Sequence, residues 1–405
     1  MTQFPSTFLW GASSAPHQIE GNNVASDWWR NESTMPGMEA SGDALDSYHR
    51  FREDMQLLAD AGLDTYRFGV EWARIEPRPG LFSNAQLAHY RRMIDTALEL
   101  GLTPVITLNH FTVPAWFTDE GGWTGETAMD RWTAYVRAVI PILSGVEWIV
   151  TINEPNMLAM MLKAYQMAQS GELGDWQSPT MEDQPDTGRV AKLPDPDLEI
   201  GYRLVEMHRA VSGELRDRTG AKVGWAIACQ AFTATPGNED KLTEVRYLWE
   251  DLYLEASRDD DFVGVQSYSS QAVDENGVVA HPPHPDNTMT GAAYRPDALE
   301  LAVRHAREVA QVPVLVTENG IATADDARRI AFTTEALSGL AAAMEDGVDV
   351  RGYLHWALLD NYEWGHWEPT FGLIAVDRQT FIRTPKPSLA WLGDVARTNG
   401  ASLDA

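Results

Sequence analysis

Cysteine is almost absent from this sequence of 405 residues, since Cys229 is the only one. A single cysteine cannot form a disulfide within the chain, and its apolar neighbours predict a buried thiol. No apolar run approaches the about 18 residues that would indicate a transmembrane helix. The first residues, Met-Thr-Gln-Phe-Pro, have neither the basic nor the apolar region of a secretory signal peptide. We therefore expect a cytoplasmic protein that spans no membrane.

Positive charge is also scarce, because 31 Lys and Arg residues face 59 Asp and Glu residues. The formal net charge of −28 would repel phosphate backbones and anionic lipid surfaces. We therefore expect no nucleic-acid partner and no binding to a membrane surface.

Signals for a cofactor or a metal are missing as well. The sequence contains no Gly-rich loop of the P-loop or dinucleotide-binding type. His281 and His284 are the nearest approach to a metal motif, but prolines separate them and no cysteine or third histidine lies close by. We therefore expect neither a cofactor nor a bound metal.

Short apolar runs alternate with longer amphipathic segments from one end of the chain to the other. The predicted strands are 8–12, 65–70, 104–108, 148–152, 223–228, 262–268, 312–317 and 352–359. The predicted helices are 45–61, 84–100, 127–143, 198–218, 241–256, 296–310 and 325–345. This alternation predicts an α/β fold, and eight strands favour a closed (β/α)8 barrel over an open sheet. No change of composition suggests a linker, so we expect one catalytic domain over residues 1–405.

Two predicted strands end in a glutamate. Thr-Ile-Asn-Glu-Pro at 151–155 places Glu154 after the fourth strand, and Val-Thr-Glu-Asn-Gly at 316–320 places Glu318 after the seventh. Strand ends of a parallel barrel converge on one rim, where active sites are built. Hydrolysis of a glycosidic bond with retention requires two carboxyl groups about 5 Å apart. A salt bridge is the structural alternative for either glutamate alone, but the pair favours catalysis.

The chemistry of the pair suggests separate roles. Glu154 suits the general acid, since a neighbouring carboxylate raises the pKa of a carboxyl group, and Asn153 beside it can bond the sugar 2-hydroxyl. Glu318 suits the group that faces the developing positive charge. Arg67, at the end of the second strand, is placed to keep Glu318 ionised, and Tyr268 can add a hydroxyl donor.

The chain resembles the family 1 glycoside hydrolases, which are retaining β-glycosidases on a (β/α)8 barrel. The resemblance runs from Phe-Leu-Trp-Gly-Ala-Ser-Ser-Ala at 8–15 to Thr-Pro-Lys-Pro-Ser at 384–388. It implies that Glu154 is the acid/base and that Glu318 is the nucleophile of a double displacement through a covalent glycosyl-enzyme.

Further motifs of the resemblance imply a site for one terminal sugar. His-Gln-Ile-Glu-Gly at 17–21 and Leu-Asn-His-Phe at 108–111 imply that Gln18 and His110 hold sugar hydroxyls. Trp-Ala-Leu-Leu-Asp-Asn-Tyr-Glu-Trp at 356–364 resembles the family's late signature. There Glu363 would hold O4 and O6, Trp364 would bond a hydroxyl, and Trp356 would form the floor of the site.

Three features of the sequence concern the rim of the site. Gln266 replaces the usual Asn on the sixth strand, and we expect it to shift a hydrogen bond at the sugar site or its rim. His366, Trp367 and Glu368 follow the late signature and are expected to border the sugar's C6 end. Long loops at 169–198 and 271–295 should sit on the rim as lids over the leaving-group side.

These features predict an exo-acting β-glycosidase, with β-glucosidase as the leading activity and a small-molecule or oligosaccharide β-glycoside as substrate. One alternative is a catalytically silent sugar-binding barrel, although both carboxylates are present. Another is a 6-phospho-β-glycosidase, but the phosphate clamp of that branch is missing and Glu368 would repel a phosphate. A thioglycosidase is disfavoured by Glu154. A homo-oligomer is compatible with the sequence, and the natural aglycone is not specified by it.

Overall fold

The computed structural model describes residues 3–35, 37–170 and 194–404 of the chain. The eight strands of the barrel, in chain order, are β1 (Leu9–Ser13), β2 (Thr65–Gly69), β3 (Thr103–Asn109), β4 (Trp148–Asn153), β5 (Lys222–Ala228), β6 (Val263–Gln266), β7 (Val314–Asn319) and β8 (Val350–Trp356). Each strand pairs in parallel with its sequence neighbours, and β8 pairs with β1 to close the barrel. The predicted (β/α)8 barrel is confirmed.

Helices cover the outside of the barrel. The α-helices are Pro16–Ile19, Asp27–Glu32, Ser47–Asp60, Trp72–Ile75, Asn84–Glu99, Ala115–Asp119, Ala128–Val139, Pro155–Ser170, Leu198–Thr219, Glu239–Arg246, Leu252–Ala256, Ala298–Ala310, Asp326–Glu345 and Pro387–Arg397. Short 3-10 turns occupy Gly122–Thr124, Ile140–Ile142, Ser257–Asp259 and Ala401–Asp404, and a π-helical turn occupies Tyr247–Asp251. None of the helices in the described ranges is long and apolar enough to cross a membrane.

Local sequence explains where the long helices begin and end. Ser83 precedes Asn84–Glu99, and its hydroxyl accepts a hydrogen bond from the backbone N–H of Gln86. Asp197 caps Leu198–Thr219 in the same way, and Gly220 ends that helix in the left-handed region with φ 71°. Such caps satisfy amide groups that would otherwise lack partners at a helix terminus.

Two apolar layers hold the barrel together. Inside it, buried side chains from alternating strand positions fill the lumen: Val105, Trp148, Val150, Ala226, Phe262, Leu315 and Leu354. A larger cluster lies between the strands and the helices, and it includes the predicted buried thiol of Cys229. The lumen is therefore a packed core, which leaves the rim at the strand ends as the place for a site.

Several elements are absent from the sequence-based prediction. One is the helix Pro155–Ser170, which begins at Pro155 because proline fits the first helical turn. Another is the helix Pro387–Arg397. Short strands also lie outside the barrel, namely Thr233–Ala234 with Ala272–Asp274 and Gly277–Val279, and Ile374–Val376 with Arg383–Pro385. Most of the loop expected at 169–198 lies outside the described residues.

Candidate active site

Glu318 lies at the end of β7, where the strand pairing is irregular. The register against β6 shifts between Val316 and Glu318, and Glu318 is then paired with Gln266. Such irregularities re-aim side chains at barrel rims. The next turn passes very close to the end of β8, since a Cβ added to Gly320 would lie 2.1 Å from the Trp356 carbonyl oxygen. Only glycine lets these two strand ends approach so closely.

Three side chains hold the Glu318 carboxylate. Arg67 Nη1 donates to Oε1 at 2.6 Å, and Gln266 Nε2 donates to the same oxygen at 2.7 Å. The Tyr268 hydroxyl donates to Oε2 at 2.5 Å. Glu318 is only 4% exposed, so its orientation is fixed by these donors and not by solvent.

Arg67 connects three strand ends from a fully buried position. Besides Glu318 on β7, its guanidinium donates to Thr107 Oγ1 on β3 at 3.0 Å and to Asn153 Oδ1 on β4 at 2.5 Å. Gln266 Nε2 also donates to Asn153 Oδ1 at 2.8 Å. Gln266 thus links Glu318 with Asn153, which specifies the hydrogen bond that the sequence left open.

Glu154 has very different surroundings. It follows β4 with φ 44°, and its backbone N–H donates to the Ala226 carbonyl at 2.7 Å while its own carbonyl accepts from the Leu158 amide at 2.9 Å. This conformation is uncommon for a residue with a side chain, and the two backbone bonds hold it. No other described residue donates a hydrogen bond to its carboxyl group, which lines a cavity at the rim.

The two carboxyl groups therefore differ in proton affinity. Burial raises the pKa of Glu154 well above its usual range, and the charges of Glu318 and Glu363 raise it further. Burial also raises the pKa of Glu318, but the Arg67 guanidinium and the Tyr268 hydroxyl oppose that rise. Glu154 therefore holds its proton more tightly than Glu318 does.

Glu363 lies across the cavity and is held on both oxygens. Trp356 Nε1 donates to Oε1 at 3.1 Å, and Gln18 Nε2 donates to Oε2 at 3.3 Å. Burial raises the pKa of Glu363 to about 8. Gln18 is itself fully buried and does not line the cavity; its Oε1 has no partner among the described residues. The structure therefore makes Gln18 a partner of Glu363, and its expected contact with sugar hydroxyls stays a prediction.

His110 presents one unused donor. Asn153 Oδ1 already accepts two bonds, so its amide nitrogen donates to His110 Nε2 at 3.2 Å. The ring proton then resides on Nδ1, which has no partner within the described parts of the chain. Burial and the Arg67 charge lower the pKa of His110 well below its usual range, so the ring is neutral. His110 can donate to a ligand hydroxyl from the cavity wall.

Aromatic rings form the remaining surface on this side. The His110 ring stacks on Trp356 and on Trp364, each with centroids 5.8 Å apart. His17 stacks on Trp364 at an interplanar angle of 5°. These flat surfaces suit the C–H face of a sugar ring.

One cavity of about 340 Å³ brings most of these residues together. Its wall includes eight of the predicted site residues: His110, Asn153, Glu154, Tyr268, Glu318, Trp356, Glu363 and Trp364. Arg67 and Gln18 act from behind the wall. The arrangement can protonate one atom of a ligand, hold a carboxylate against another, and bind several hydroxyls.

Sequence similarity decides the family. The sequence-family model described as glycosyl hydrolase family 1 matches residues 1–172 and 251–401 of the chain, and these ranges contain both glutamates. The chain belongs to glycosyl hydrolase family 1.

Relatives match along nearly the whole chain. Thermostable beta-glucosidase B of Thermobispora bispora is 31% identical over 98% of this chain and 91% of its own length. Beta-glucosidase A of Acetivibrio thermocellus is 28% identical over 98% of this chain and 99% of its own length. This member of family 1 is therefore a glycoside hydrolase of the β-glycosidase type.

Solved structures agree in fold. The beta-glycosidase from Pyrococcus horikoshii is 31% identical, with a TM-score of 0.86 over 98% of this chain and 96% of that one. A beta-glucosidase from Thermotoga maritima, in complex with deoxynojirimycin, is 26% identical, with a TM-score of 0.84 over 99% of this chain and all of that one.

Two sequence-based expectations about the rim have different outcomes in this family 1 enzyme. Thr288, Thr290 and Ala292 of the loop 271–295 line the cavity, as expected for a rim loop. His366, Trp367 and Glu368 do not line it. Trp367 instead bonds the segment around residue 40, because its indole N–H donates to the Ala40 carbonyl at 3.0 Å. The tight turn after Glu363 places Trp367 beside residues 39 and 40, and the expectation that the three border the sugar's C6 end stays a prediction.

Other wall residues were missed in the sequence. Met157, Met161, Phe111, Ile321, Ala322 and Phe371 also line the cavity. As isolated apolar residues they resemble ordinary core positions. Met157 and Met161 follow Glu154 at helical spacing, and this was the one signal that could have pointed to them.

Proposed function

We propose that the enzyme is a retaining exo-β-glucosidase that releases one terminal glucose by double displacement. Glu318 is the nucleophile and Glu154 is the acid/base. The observation that carries this proposal is the contrast between the two carboxyl groups in one cavity. Three donors hold the carboxylate of Glu318, whereas no described residue bonds the carboxyl group of Glu154, whose pKa is the more strongly raised.

The first step follows from that contrast. A terminal glucose binds with its hydroxyls toward Glu363 and His110 and with its face on Trp356. Glu318 attacks the anomeric carbon while Glu154 gives its proton to the departing oxygen. Asn153, oriented by Arg67 and Gln266, is available to the 2-hydroxyl. When the leaving group has gone, Glu154 takes a proton from water, which attacks the same carbon and releases the sugar with its original configuration.

Two features support glucose over a 6-phosphorylated sugar. The curated relatives named above are beta-glucosidases. The charged side chains on the described part of the wall are all carboxylates, and the guanidinium of Arg67 behind it is already paired with Glu318. Such a site favours neutral hydroxyls over a phosphate.

The test is hydrolysis of nitrophenyl β-glycosides with the product anomer followed by proton NMR. The panel contains the glucoside, galactoside, fucoside, mannoside, xyloside and 6-phosphoglucoside. We expect the glucoside to give the highest kcat/KM, with β-glucose appearing first. α-Glucose as the first product would exclude retention, and a preference for the phosphorylated substrate would exclude the glucosidase assignment. Binding of glucose without turnover of any member would identify a silent sugar-binding barrel.

A further inference from the structure

The position of Glu154 fixes the side of the cavity that receives the leaving group. The glycone lies toward Trp356 and Glu363, and Glu154 protonates the oxygen that joins it to the rest of the substrate. The leaving group therefore extends past Glu154, along the helix Pro155–Ser170 that begins at the next residue. Met157 and Met161 of this helix both line the cavity. They are four residues apart and share one helix face.

The rest of this leaving-group wall is also apolar. The same cavity is lined by Ile321 and Ala322, which follow β7, and by Ala292 of the rim loop. Phe232, Trp249 and neighbouring apolar side chains form a buried cluster against which the methionines pack. The cavity therefore offers the leaving group several apolar side chains.

The polar groups near this wall already form hydrogen bonds within the protein. The amide of Asn156, next to Met157, donates to the carbonyls of Ala228 at 2.7 Å and Trp249 at 2.6 Å. The hydroxyls of Thr288 and Thr290 bond each other at 2.9 Å, which leaves one hydroxyl hydrogen of the pair for a ligand. Within the described residues, the wall beyond Glu154 presents no carboxylate and no free amide for a second sugar.

We propose that this wall binds apolar aglycones, such as alkyl or aryl groups, in preference to a second sugar. The inference rests on the proposed β-glucosidase function and names the leaving group that the same site takes. A second sugar would lose hydration of its hydroxyls and find few partners on this wall, whereas an alkyl or aryl group gains by leaving water. The flexible thioether side chains of the methionines adapt to aglycones of different shape.

The direct test is to vary the length of the alkyl group in the leaving alcohol. We would compare kcat/KM for methyl, butyl and hexyl β-glucosides, whose leaving-group alcohols have similar acidity, with kcat/KM for cellobiose. Each methylene that the wall buries should raise kcat/KM by up to about fourfold. Hexyl β-glucoside should exceed both methyl β-glucoside and cellobiose. A value for cellobiose at or above that for hexyl β-glucoside would overturn the proposal.

Met161→Gln tests the wall itself, because glutamine has nearly the same length as methionine but is polar. The ratio of kcat/KM for the hexyl and methyl glucosides should fall in this variant. That ratio does not depend on the fraction of enzyme that folds. Met344→Gln is the matched control, since Met344 is partly buried on the helix Asp326–Glu345 and does not line the cavity. An unchanged ratio in Met161→Gln would remove Met161 from the site.

Binding of the uncleaved methyl and hexyl 1-thio-β-glucosides, measured by calorimetry, separates this inference from the proposed function. Tighter hexyl binding without turnover of any glucoside would contradict the function and retain the apolar wall. Turnover of glucosides with no dependence on chain length, in rate or in binding, would contradict the wall and retain the function. Failure of both readouts would contradict both.

Discussion

Glu318 and Glu154 carry the same side chain but occupy opposite kinds of environment. Glu318 ends a barrel strand and receives hydrogen bonds from Arg67, Gln266 and Tyr268. Glu154 starts the turn into a helix, and none of the described residues bonds its carboxyl group. The difference shows that the surroundings, rather than the residue type, decide which glutamate holds its proton more tightly.

The two environments arise from different places in the fold. The donors to Glu318 come from β2 and from the end of β6, so closure of the barrel assembles them around one carboxylate. Glu154 lies one residue beyond β4, where a left-handed backbone conformation turns the chain into Pro155–Ser170. Rigid strand ends hold the proposed nucleophile, and the strand-to-helix turn presents the proposed acid to the cavity.

The largest expected effect comes from removing the held carboxylate. Glu318→Ala should lower kcat by several orders of magnitude, since no nucleophile remains. Added azide or formate should restore turnover of a nitrophenyl glucoside and give an α-configured product, because a small anion fits the vacated space and attacks once. Chromatography and NMR of the products measure this. Normal turnover of the variant would contradict the assigned roles of the two glutamates by showing that Glu318 is not the nucleophile.

Glu154→Ala should give a loss that depends on the leaving group. Without a general acid, substrates with poor leaving groups should slow by about 10²- to 10⁴-fold in kcat/KM. A dinitrophenyl glucoside, which needs no proton, should keep its first step, and azide should give a β-configured product. Kinetics on both substrates decide the matter. Equal losses on the two would make Glu154 structural.

Tyr268→Phe weakens the distinction between the two glutamates. Loss of one hydrogen bond to a charged group costs about 1.5–3 kcal/mol, so we expect a decrease of about 10- to 150-fold in kcat/KM. The Tyr268 hydroxyl stabilises the carboxylate, so its removal raises the pKa of Glu318. Activity appears as pH rises through that pKa, and the acid limb of the kcat/KM profile should therefore move to higher pH. The alkaline limb, set by Glu154, should stay in place. An unmoved acid limb would contradict the assignment.

The smallest effect is expected at Gln266, which supports Glu318 alongside Arg67. Gln266→Leu removes a hydrogen bond to a carboxylate oxygen that Arg67 still holds, so we expect a loss at the low end of the range for a bond to a charged group, about 10-fold in kcat/KM. Gln266→Asn keeps a shorter amide that cannot span both Glu318 and Asn153, so we expect a smaller loss. Comparison of kcat for the two variants checks this order. A larger loss in the asparagine variant would argue that length, not the amide, is what the site requires.

The sequence predicted the eight strands and both glutamates because apolar runs mark buried strands and each glutamate directly follows one. It did not predict that Gln266 bonds both Glu318 and Asn153, since that contact depends on the spacing of β4, β6 and β7 in the closed barrel. It did not predict the contact of Trp367 with residues 39 and 40 either, because nearness to Glu363 in sequence does not show which way a side chain faces. Met157 and Met161 are indistinguishable from core residues until the position of the cavity is known.

The most direct test of the distinction between the two glutamates is covalent labelling with 2,4-dinitrophenyl 2-deoxy-2-fluoro-β-glucoside, followed by proteolysis and mass spectrometry. The fluorine slows hydrolysis of the glycosyl-enzyme, and the good leaving group allows it to form. We predict one added fluoroglucosyl group per chain, on the peptide that contains Glu318, and none on the peptide that contains Glu154. Label on Glu154, or steady turnover without any labelled intermediate, would contradict the account.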